Sequence, residues 1–381
     1  MSEFRMGLVG CGAIAERHGK AALTSGAGVR FVACADINAD NARAWAERYV
    51  AERHYTDFEE MIRSERLDGV LFATWPNHHG EQIARAVAAG ARSILCEKAL
   101  TLTGRDAETA FATCEAAGVP LVEAFMYLHH PTVRLLDALM AEPARERVDS
   151  VRAVFAILDR ERQEANDDSR VWRQRKDTGG GIPYDLVPYC VNACGRYAAS
   201  LPRRVHAIGD YSEKYGTLVR LFGTVEYENG CVGIIQSGKR QGFSQFLEIN
   251  AVDSVFRLNL PFTPRRANAI EQTFFRTNGD TLDISHPIPD EYGDDPGARE
   301  IGPYRDQLDR FAAFVRGEAP PLPHISESIV NTHVIEALVA SVDAGQAVEI
   351  SLSDQLRRKW GQARGQASAK AGVSAGRRCP A

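Results

Sequence analysis

Long hydrophobic runs are missing from this sequence: none approaches the ~20 apolar residues that a membrane-spanning helix needs. The first residues, Met1 to Arg5, also lack the basic region, the long apolar stretch and the small-residue cleavage site of a secretory signal. These absences argue against a membrane protein and against a secreted one. We expect a cytoplasmic protein that has no membrane partner.

Metal-binding and nucleophile motifs are missing as well. The eight cysteines are scattered without a Cys-x-x-Cys pair, and no spacing of His, Asp and Glu indicates a metal site. Neither a G-x-S-x-G motif nor a Ser/His/Asp set stands out. We therefore predict no metal, and we expect most cysteines to be small buried hydrophobes in a reducing compartment.

Charge of one sign is not in large excess. Lys and Arg number 45 against 50 for Asp and Glu, and the net charge of −5 argues against nucleic acid or an anionic membrane as the main partner. Hydrophobic residues make up 44% of the 381 positions, so the chain can bury a sizeable core. At roughly 100–200 residues per domain, this length predicts two domains.

Short apolar runs alternate with amphipathic stretches from residue 4 to about 126. The runs are apolar without alternation, which is typical of parallel strands covered on both faces. Strands that alternate with helices predict a doubly wound parallel sheet, a Rossmann domain. The predicted strands are Arg5–Val9, Val29–Asp36, Gly69–Thr74, Ser93–Glu97 and Leu121–Phe125, and the predicted helices lie at about 13–24, 39–49, 57–64, 79–90 and 103–117.

Longer, alternating strands follow, and they predict a second α/β domain with an open, mainly antiparallel sheet. Asn229-Gly230 marks a hairpin turn. Residues 286–304 are rich in Pro, Gly and Asp and predict a long loop, whereas the tail from about 362 has a composition typical of disorder. Strands are predicted at Ser150–Leu158, Arg204–Asp210, Leu218–Tyr227, Cys231–Ser237, Phe246–Ala251, Val255–Leu260 and 347–351, with helices near 131–142 and 325–343.

These patterns divide the chain into a dinucleotide-binding domain at 1–127, a substrate-binding and oligomerisation domain at 128–352, and a C-terminal tail at 353–381.

A glycine-rich loop joins the first predicted strand to the first helix and fits the pattern G-x-G-x-x-G/A. Gly10 allows the tight turn, Gly12 lets the backbone approach a pyrophosphate, and Ala15 keeps helix and strand close. The helix N-terminus offers N–H groups and a positive dipole to the phosphates. Asp36 ends the second strand, where a carboxylate accepts hydrogen bonds from ribose hydroxyls and repels a 2′-phosphate. The loop therefore predicts NAD as cofactor, with NADP less favoured.

Two further clusters carry chemistry. Lys98 follows a strand at the edge where open α/β sheets bind ligands, and an ammonium there can hold a substrate hydroxyl and lower the pKa of a neighbouring acid–base group. Three glycines, 179–181, precede Asp185 and Tyr189. On a helix that begins near Asp185, these two residues and Asn192 share a face that can grip a polyol. A solvated lysine and a glycine turn with an N-cap Asp are the structural alternatives.

These motifs together resemble the glucose-fructose oxidoreductase/inositol dehydrogenase/MocA family, over roughly residues 4–351. Tyr189 stands where many members have histidine, as in the branch that holds glucose-fructose oxidoreductase, dimeric dihydrodiol dehydrogenase and some sugar 3-ketoreductases. The residues that carry the resemblance are Gly10 to Ala15, Ala73-Thr74-Trp75-Pro76-Asn77-His78-His79, Cys96-Glu97-Lys98, Glu123-Ala124-Phe125-Met126-Tyr127, Trp172-Arg173 and Gly179 to Asn192.

The resemblance implies catalytic roles for Lys98, Asp185 and Tyr189. Four positions depart from the family's usual pattern: Ala99 replaces a proline, Trp75 and Pro76 stand where the loop usually has Pro and Asn, and Leu128 stands where arginine is common. The residues that we expect to contact the cofactor are Gly10, Cys11, Gly12, Ala13, Ile14, Ala15, Asp36, Thr74, Trp75, His79, Glu97, Lys98, Trp172 and Arg173. Those that we expect to contact the substrate are Lys98, Tyr127, His130, Asp185, Tyr189 and Asn192.

The expected activity is reversible hydride transfer between NAD(H) and a secondary hydroxyl or ketone of a sugar, a sugar derivative or a cyclitol. In this hypothesis Tyr189 is the general acid/base, Lys98 lowers its pKa, and Asp185 orients the substrate or Lys98. A glycoside-cleaving enzyme that oxidises the sugar transiently and a non-catalytic dinucleotide-binding regulator are the alternatives. From the resemblance we also expect a homodimer or homotetramer, with one face of the second sheet turned to a partner subunit.

Overall fold

The fold is built on two β-sheets. The structure is a computed structural model that describes residues 3–140, 148–158, 174–263, 269–275, 280–293 and 295–375. Within these ranges, no helix is both long and apolar enough to cross a membrane.

The first sheet has six strands, all parallel, in the order β3-β2-β1-β4-β5-β6. This is the order of a doubly wound dinucleotide-binding fold and confirms the predicted Rossmann domain. The strands are β1 (Phe4–Val9), β2 (Val29–Ala35), β3 (Arg53–Tyr55), β4 (Gly69–Phe72), β5 (Ile94–Glu97) and β6 (Leu121–Ala124). The connecting helices are α1 (Ala13–Ala22), α2 (Ala39–Tyr49), α3 (Phe58–Ser64), α4 (Pro76–Ala88) and α5 (Gly104–Ala116).

Burial explains why the central strands read as continuous apolar runs. Every residue of β4, β5 and β6 is buried, because helices cover both faces of the sheet. The carboxyl ends of β1, β2, β4 and β5 lie at one edge. The glycine loop, Asp36, Thr74 and Lys98 follow those four ends, so this topology brings the predicted cofactor residues to one crevice.

The second sheet has nine strands in the order β14-β13-β12-β11-β7-β10-β9-β8-β15. All its neighbours are antiparallel except β7 and β10, which confirms the open, mainly antiparallel sheet. Its strands are β7 (Val148–Leu158), β8 (Pro202–Tyr211), β9 (Leu218–Tyr227), β10 (Val232–Gly238), β11 (Arg240–Ala251), β12 (Ser254–Asn259), β13 (Ala269–Phe275), β14 (Thr281–Pro287) and β15 (Val348–Glu349).

Helices cover one face of this sheet and connect it to the first. They are α6 (Pro131–Leu139), α7 (Ile182–Asp185), α8 (Val187–Ala198), α9 (Pro296–Val315), α10 (Ile325–Ala344) and α11 (Asp354–Ala375). Helix α8 packs on β7 and β10, α10 on β8 and α5, and α9 on α1 of the Rossmann domain. The opposite face of the sheet exposes large apolar side chains such as Ile208 and Ile234.

Two regions differ from the sequence-based expectation. The loop predicted at 286–304 ends at Asp295, whose side chain accepts the N–H of Gly297 and starts α9 with Pro296 in its first turn. Helix α9 then continues through Pro303, because Tyr304, Leu308 and Phe311 are buried in the core. The tail, predicted to be disordered from about 362, is helical to Ala375.

Candidate active site

The glycine loop has the shape of a phosphate cradle. Gly10 has a φ of 88°, and a Cβ atom there would lie 2.8 Å from Thr74 Cγ2, so only glycine fits this turn without a clash. Gly12 starts α1 without a side-chain cap, and a Cβ there would meet nothing within 4 Å. Open space thus lies beside Gly12 at the start of α1, which is what a dinucleotide pyrophosphate needs.

Asp36 lies beside this loop, as predicted. Its carboxylate accepts one hydrogen bond from the Cys11 N–H and another from the Asn38 N–H, both at 2.8 Å. These bonds hold the carboxylate at the end of β2, where it presents a negative charge beside the crevice.

His79 is fully buried behind the loop after β4. Its Nδ1 lies 3.0 Å from the Ala99 carbonyl and 3.2 Å from that of Leu100, and its Nε2 lies 3.2 Å from the Thr74 carbonyl. Burial lowers the pKa of His79, so the ring is neutral near pH 7. The ring therefore ties the Thr74 loop to the segment after Lys98, and our expectation that it contacts the cofactor is replaced by a positioning role. Trp75, by contrast, is exposed.

Glu97 pairs with His18, a residue that sequence reasoning did not place in the site. His18 of α1 is completely buried, and its Nε2 lies 2.7 Å from Glu97 Oε1. The other Glu97 oxygen accepts the Lys98 N–H at 3.2 Å. The ring of Tyr304 in α9 packs edge-on against His18, with centroids 5.3 Å apart. The buried pair joins the cofactor helix to the end of β5 and fixes the backbone that carries Lys98.

Lys98 and Asp185 meet across the two domains. The Lys98 ammonium donates to the Asp185 backbone carbonyl at 2.9 Å and lies 3.4 Å from Asp185 Oδ1. A second ammonium, that of Lys239, lies 3.0 Å from Asp185 Oδ2. Lys239 is 7% exposed and occupies the turn between β10 and β11. No motif marked it, because its partner lies 54 positions away in the sequence.

The glycines before Asp185 allow the chain to bring this residue beside Lys98 and Lys239. Gly179 and Gly181 have φ values of 80° and 92°, which other residues rarely adopt. A Cβ on Gly179 would lie 2.7 Å from Leu102 Cδ2, and one on Gly181 would lie 3.0 Å from the Leu218 carbonyl oxygen. The chain can therefore pass between the two domains. Asp185 ends α7 and Tyr189 lies in the first turn of α8, so the predicted continuous helix is in fact two helices.

Tyr189 is half-buried in a cluster of aromatic rings. Its ring centroid lies 5.2 Å from the Lys98 ammonium nitrogen. Burial raises the pKa of Tyr189 well above its usual value, and Tyr304 and Glu97 raise it further. Our expectation that Lys98 makes this phenol unusually acidic is therefore wrong: desolvation dominates, and the hydroxyl is protonated near neutrality. The other rings of the cluster are Phe125, Tyr127, Phe155 and Phe262.

Three predicted substrate contacts take structural positions instead. Tyr127 and Asn192 are 1% and 2% exposed, and the Tyr127 hydroxyl donates to the Asn192 side-chain oxygen behind Tyr189. His130 starts α6, where its Nδ1 accepts the Thr132 N–H at 3.1 Å. Burial lowers the pKa of His130 to about 4, so it is neutral. Because these three side chains are buried and already hydrogen-bonded, they offer little surface to a substrate. Trp172 and Arg173 lie outside the described residues.

Glu123, at the end of β6, supports the segment that follows Lys98. Its Oε1 accepts the N–H of Leu100 at 2.8 Å, which fixes the segment that follows Lys98. The side chain is buried, and burial raises the pKa of Glu123 to about 7, against the opposing effect of that hydrogen bond. A carboxyl group thus titrates beneath the site near physiological pH.

Glu123→Gln should flatten the dependence of protein stability on pH. Below the usual Glu pKa of 4.5, the carboxyl is protonated in both the folded and the unfolded chain. As the pH rises towards 7, only the unfolded chain releases the proton. The free energy of unfolding of the wild type therefore falls by up to about 3 kcal/mol. Urea unfolding between pH 4.5 and 8 measures this loss, with the exposed Glu60→Gln as control. Equal slopes for Glu123→Gln and the wild type would contradict it.

A dinucleotide cradle that faces a half-buried Lys, Asp and Tyr cluster defines a nicotinamide-dependent oxidoreductase. Residues 4–125 match the model of the oxidoreductase family with an NAD-binding Rossmann fold, and residues 141–252 match the GFO/IDH/MocA C-terminal domain. The chain belongs to the GFO/IDH/MocA family. The resemblance expected from the motifs is thus confirmed.

Several relatives carry the names of enzymes that act on sugars or sugar derivatives. D-xylose 1-dehydrogenase (NADP(+)) 2 of Haloferax volcanii is 28% identical over 339 residues, which cover 86% of this chain and 98% of that protein. The dTDP-3,4-didehydro-2,6-dideoxy-alpha-D-glucose 3-reductase of Actinomadura kijaniata is 26% identical over 260 residues, which cover 68% of this chain and 76% of that protein. Levoglucosan dehydrogenase, solved with NADH, has the same fold, with a TM-score of 0.78 and 19% identity over 92% of this chain and 100% of that one.

The chain is therefore an NAD(P)-dependent oxidoreductase that transfers a hydride on a sugar-like substrate, as the sequence led us to expect.

Proposed function

We propose that this protein is an NAD-dependent dehydrogenase or ketoreductase that uses Tyr189, Lys98 and Asp185 on a secondary hydroxyl or ketone of its sugar-like substrate. The observation that carries this assignment is the convergence of the three side chains where the crevice of the Rossmann sheet meets the second domain. Each is half-buried, so each combines restricted solvent access with an opening to a ligand.

The residues that hold the cofactor in this proposal follow the strand ends. The N–H groups at Gly12 and Ala13 hold the pyrophosphate, and Asp36 accepts hydrogen bonds from the adenosine ribose. Thr74, Trp75 and the Glu97–Lys98 segment line the path towards Tyr189. The nicotinamide, when bound, donates or accepts the hydride at its C4 carbon.

Tyr189 moves the proton. Because burial keeps the phenol protonated, it can donate its proton to the carbonyl oxygen as the hydride reaches the carbonyl carbon, which yields the alcohol. In the reverse direction the phenol must first lose its proton, so we expect alcohol oxidation to accelerate as the pH rises. Lys98 holds the same substrate oxygen and stabilises its developing negative charge, and Asp185 fixes Lys98.

Absorbance at 340 nm tests this function. Purified protein is mixed with NAD or NADP and a panel of aldoses, inositols and glycosides, and with ketone substrates in the presence of NADH. Formation or consumption of NADH with one substrate class supports the proposal. Glycoside cleavage without a net change in NADH would support the glycoside-cleaving alternative instead. Tight NADH binding without turnover on any substrate would point to a regulator.

Asp36 should set the preference for NAD over NADP. The wild type should have a higher kcat/KM with NAD, because the carboxylate repels a 2′-phosphate. Asp36→Ser should lower kcat/KM for NAD and raise it for NADP, so that their ratio falls by about 10–100-fold, or ~1.4–2.8 kcal/mol. Initial rates with both cofactors measure the ratio, and Asp40→Ser, on the exposed first turn of α2, is the control. A wild type that prefers NADP would refute this role.

Quaternary structure and compartment complete the proposal. We propose that the exposed face of the second sheet forms a homodimer or homotetramer interface, since paired positions on β8, β9 and β10 align Ile208, Phe222 and Ile234 on that face.

The free, mostly buried cysteines in the described part of the chain support a reducing, cytoplasmic location. The two family matches support a division near residue 127 into a cofactor domain and a substrate domain.

A further inference from the structure

Lys239 occupies an unusual position for a lysine. Its side chain is 9% exposed, and in the described part of the chain the charged group within salt-bridge distance of it is the Asp185 carboxylate, at 3.0 Å. Its backbone N–H donates to the Val219 carbonyl at 3.0 Å, which ties the turn after β10 to β9. Gly181 packs against the neighbouring Leu218 carbonyl, so the same corner of the sheet receives both α7 and Lys239.

We propose that Lys239 is a further residue of the active site, a positioning residue that shares the Asp185 carboxylate with Lys98. The inference rests on the proposed function, in which Lys98 faces the reacting oxygen. Lys239 acts through Asp185 and Lys98.

Charge and distance support this role. The two ammonium groups approach different oxygens of one carboxylate, Lys239 at 3.0 Å and Lys98 at 3.4 Å. Lys239 thus takes up part of the negative charge that Asp185 would otherwise direct at Lys98, and solvent screens the buried Lys239 and its two half-buried partners only weakly. The positive charge of Lys98 is then available to a substrate oxygen that becomes negative during hydride transfer. Without Lys239, the Asp185 carboxylate would act more strongly on Lys98 and oppose that stabilisation.

A purely structural role fits less well. Desolvation of a buried ion pair often costs as much as the attraction returns, so an apolar side chain would stabilise this turn equally well. Arg240, the next residue, has the same charge but is exposed and contacts the Ser212 hydroxyl at 3.5 Å. Of these two neighbouring cations, only Lys239 is buried and directed to the Asp185 carboxylate.

The test compares Lys239→Met, Lys239→Arg and the matched control Arg240→Met, using the substrate found in the 340 nm panel. Lys239→Met should lower kcat about 10–100-fold with little change in the KM for NADH. Lys239→Arg should retain kcat within about threefold, and Arg240→Met should match the wild type. Equal kcat for Lys239→Met and the wild type would overturn the inference, and so would a loss that Lys239→Arg does not restore.

A second measurement needs no turnover. The rate of Lys98 acetylation by acetic anhydride, followed by peptide mass spectrometry across pH, gives a titration midpoint for its amine. Lys239→Met removes a like charge and should move that midpoint upwards by about half a unit to one unit, whereas Lys239→Arg should not. The groups that face Lys98 in the described structure are Glu97, Glu123, Asp185, Tyr189 and Lys239.

The turnover and acetylation measurements distinguish a failure of the proposed function from a failure of the role proposed for Lys239. If the wild type turns over nothing in the panel, the proposed function fails and the acetylation midpoint alone decides the role of Lys239. An unchanged midpoint in Lys239→Met overturns the shared-carboxylate arrangement even in an active enzyme.

Discussion

Tyr189→Phe should lower kcat by about 10²–10⁴-fold in both directions of the reaction, because the variant loses the proton donor. The phenylalanine ring keeps the packing of Tyr189 against Phe125, Phe155 and Phe262, whose centroids lie 5.4–5.9 Å from that of Tyr189. Stability and NADH affinity should therefore stay close to those of the wild type. The loss should appear in kcat, measured at saturating NADH by the change in absorbance at 340 nm.

Tyr184→Phe is the matched control for this variant. It removes a hydroxyl from the same segment, one that donates to the Leu102 carbonyl at 3.1 Å. Turnover of Tyr184→Phe should stay within a few-fold of the wild type. The pH profile adds a second readout: the rise of oxidation rate with pH, expected from the raised pKa of Tyr189, should disappear in Tyr189→Phe. Undiminished turnover in Tyr189→Phe would exclude Tyr189 as the proton donor.

Lys98→Met should lower kcat by about 10²–10³-fold, the usual cost of removing one group that stabilises a developing oxyanion. Methionine keeps most of the length of the side chain but loses the ammonium and its bond to the Asp185 carbonyl. Arginine should restore only part of the activity, since its planar guanidinium cannot reproduce a compact ammonium.

Lys359→Met makes the same substitution outside the site. Lys359 lies on α11 and pairs with Glu115 at the surface, where an ion pair contributes little to stability. Its turnover should equal that of the wild type. Thermal unfolding and NADH titration of both variants would separate a catalytic loss from a folding defect. If Lys98→Met kept wild-type turnover, hydride transfer would not depend on this ammonium.

The cofactor half of the site was predictable from sequence for a topological reason. The glycine loop, Asp36 and Lys98 each follow a parallel strand, and parallel strands end at one edge of a sheet. Strand periodicity alone therefore places them together. The same reasoning failed for Asn192, because α7 ends at Asp185 and a new helix begins at Val187.

Burial decided several roles that residue type could not. Histidine at position 79 is compatible with a ligand contact or with a structural clamp, and the three carbonyl oxygens around its ring make it a clamp. Tyr189 next to a lysine suggested an acidic phenol, yet desolvation raises its pKa. In the same way, packing of Tyr304 and Phe311 keeps α9 helical where Gly302 and Pro303 predict a loop.

The sequence by itself determined the Rossmann domain, the antiparallel character of the second sheet, the dinucleotide loop and the residue types available for hydride transfer. These features depend on local periodicity and on short motifs. Only the tertiary structure decided that Lys239 shares Asp185 with Lys98, that His18 pairs with Glu97, and that Phe262 packs against Tyr189. These contacts join residues 54 to 87 positions apart, and no local pattern encodes which distant side chains the packed core brings together.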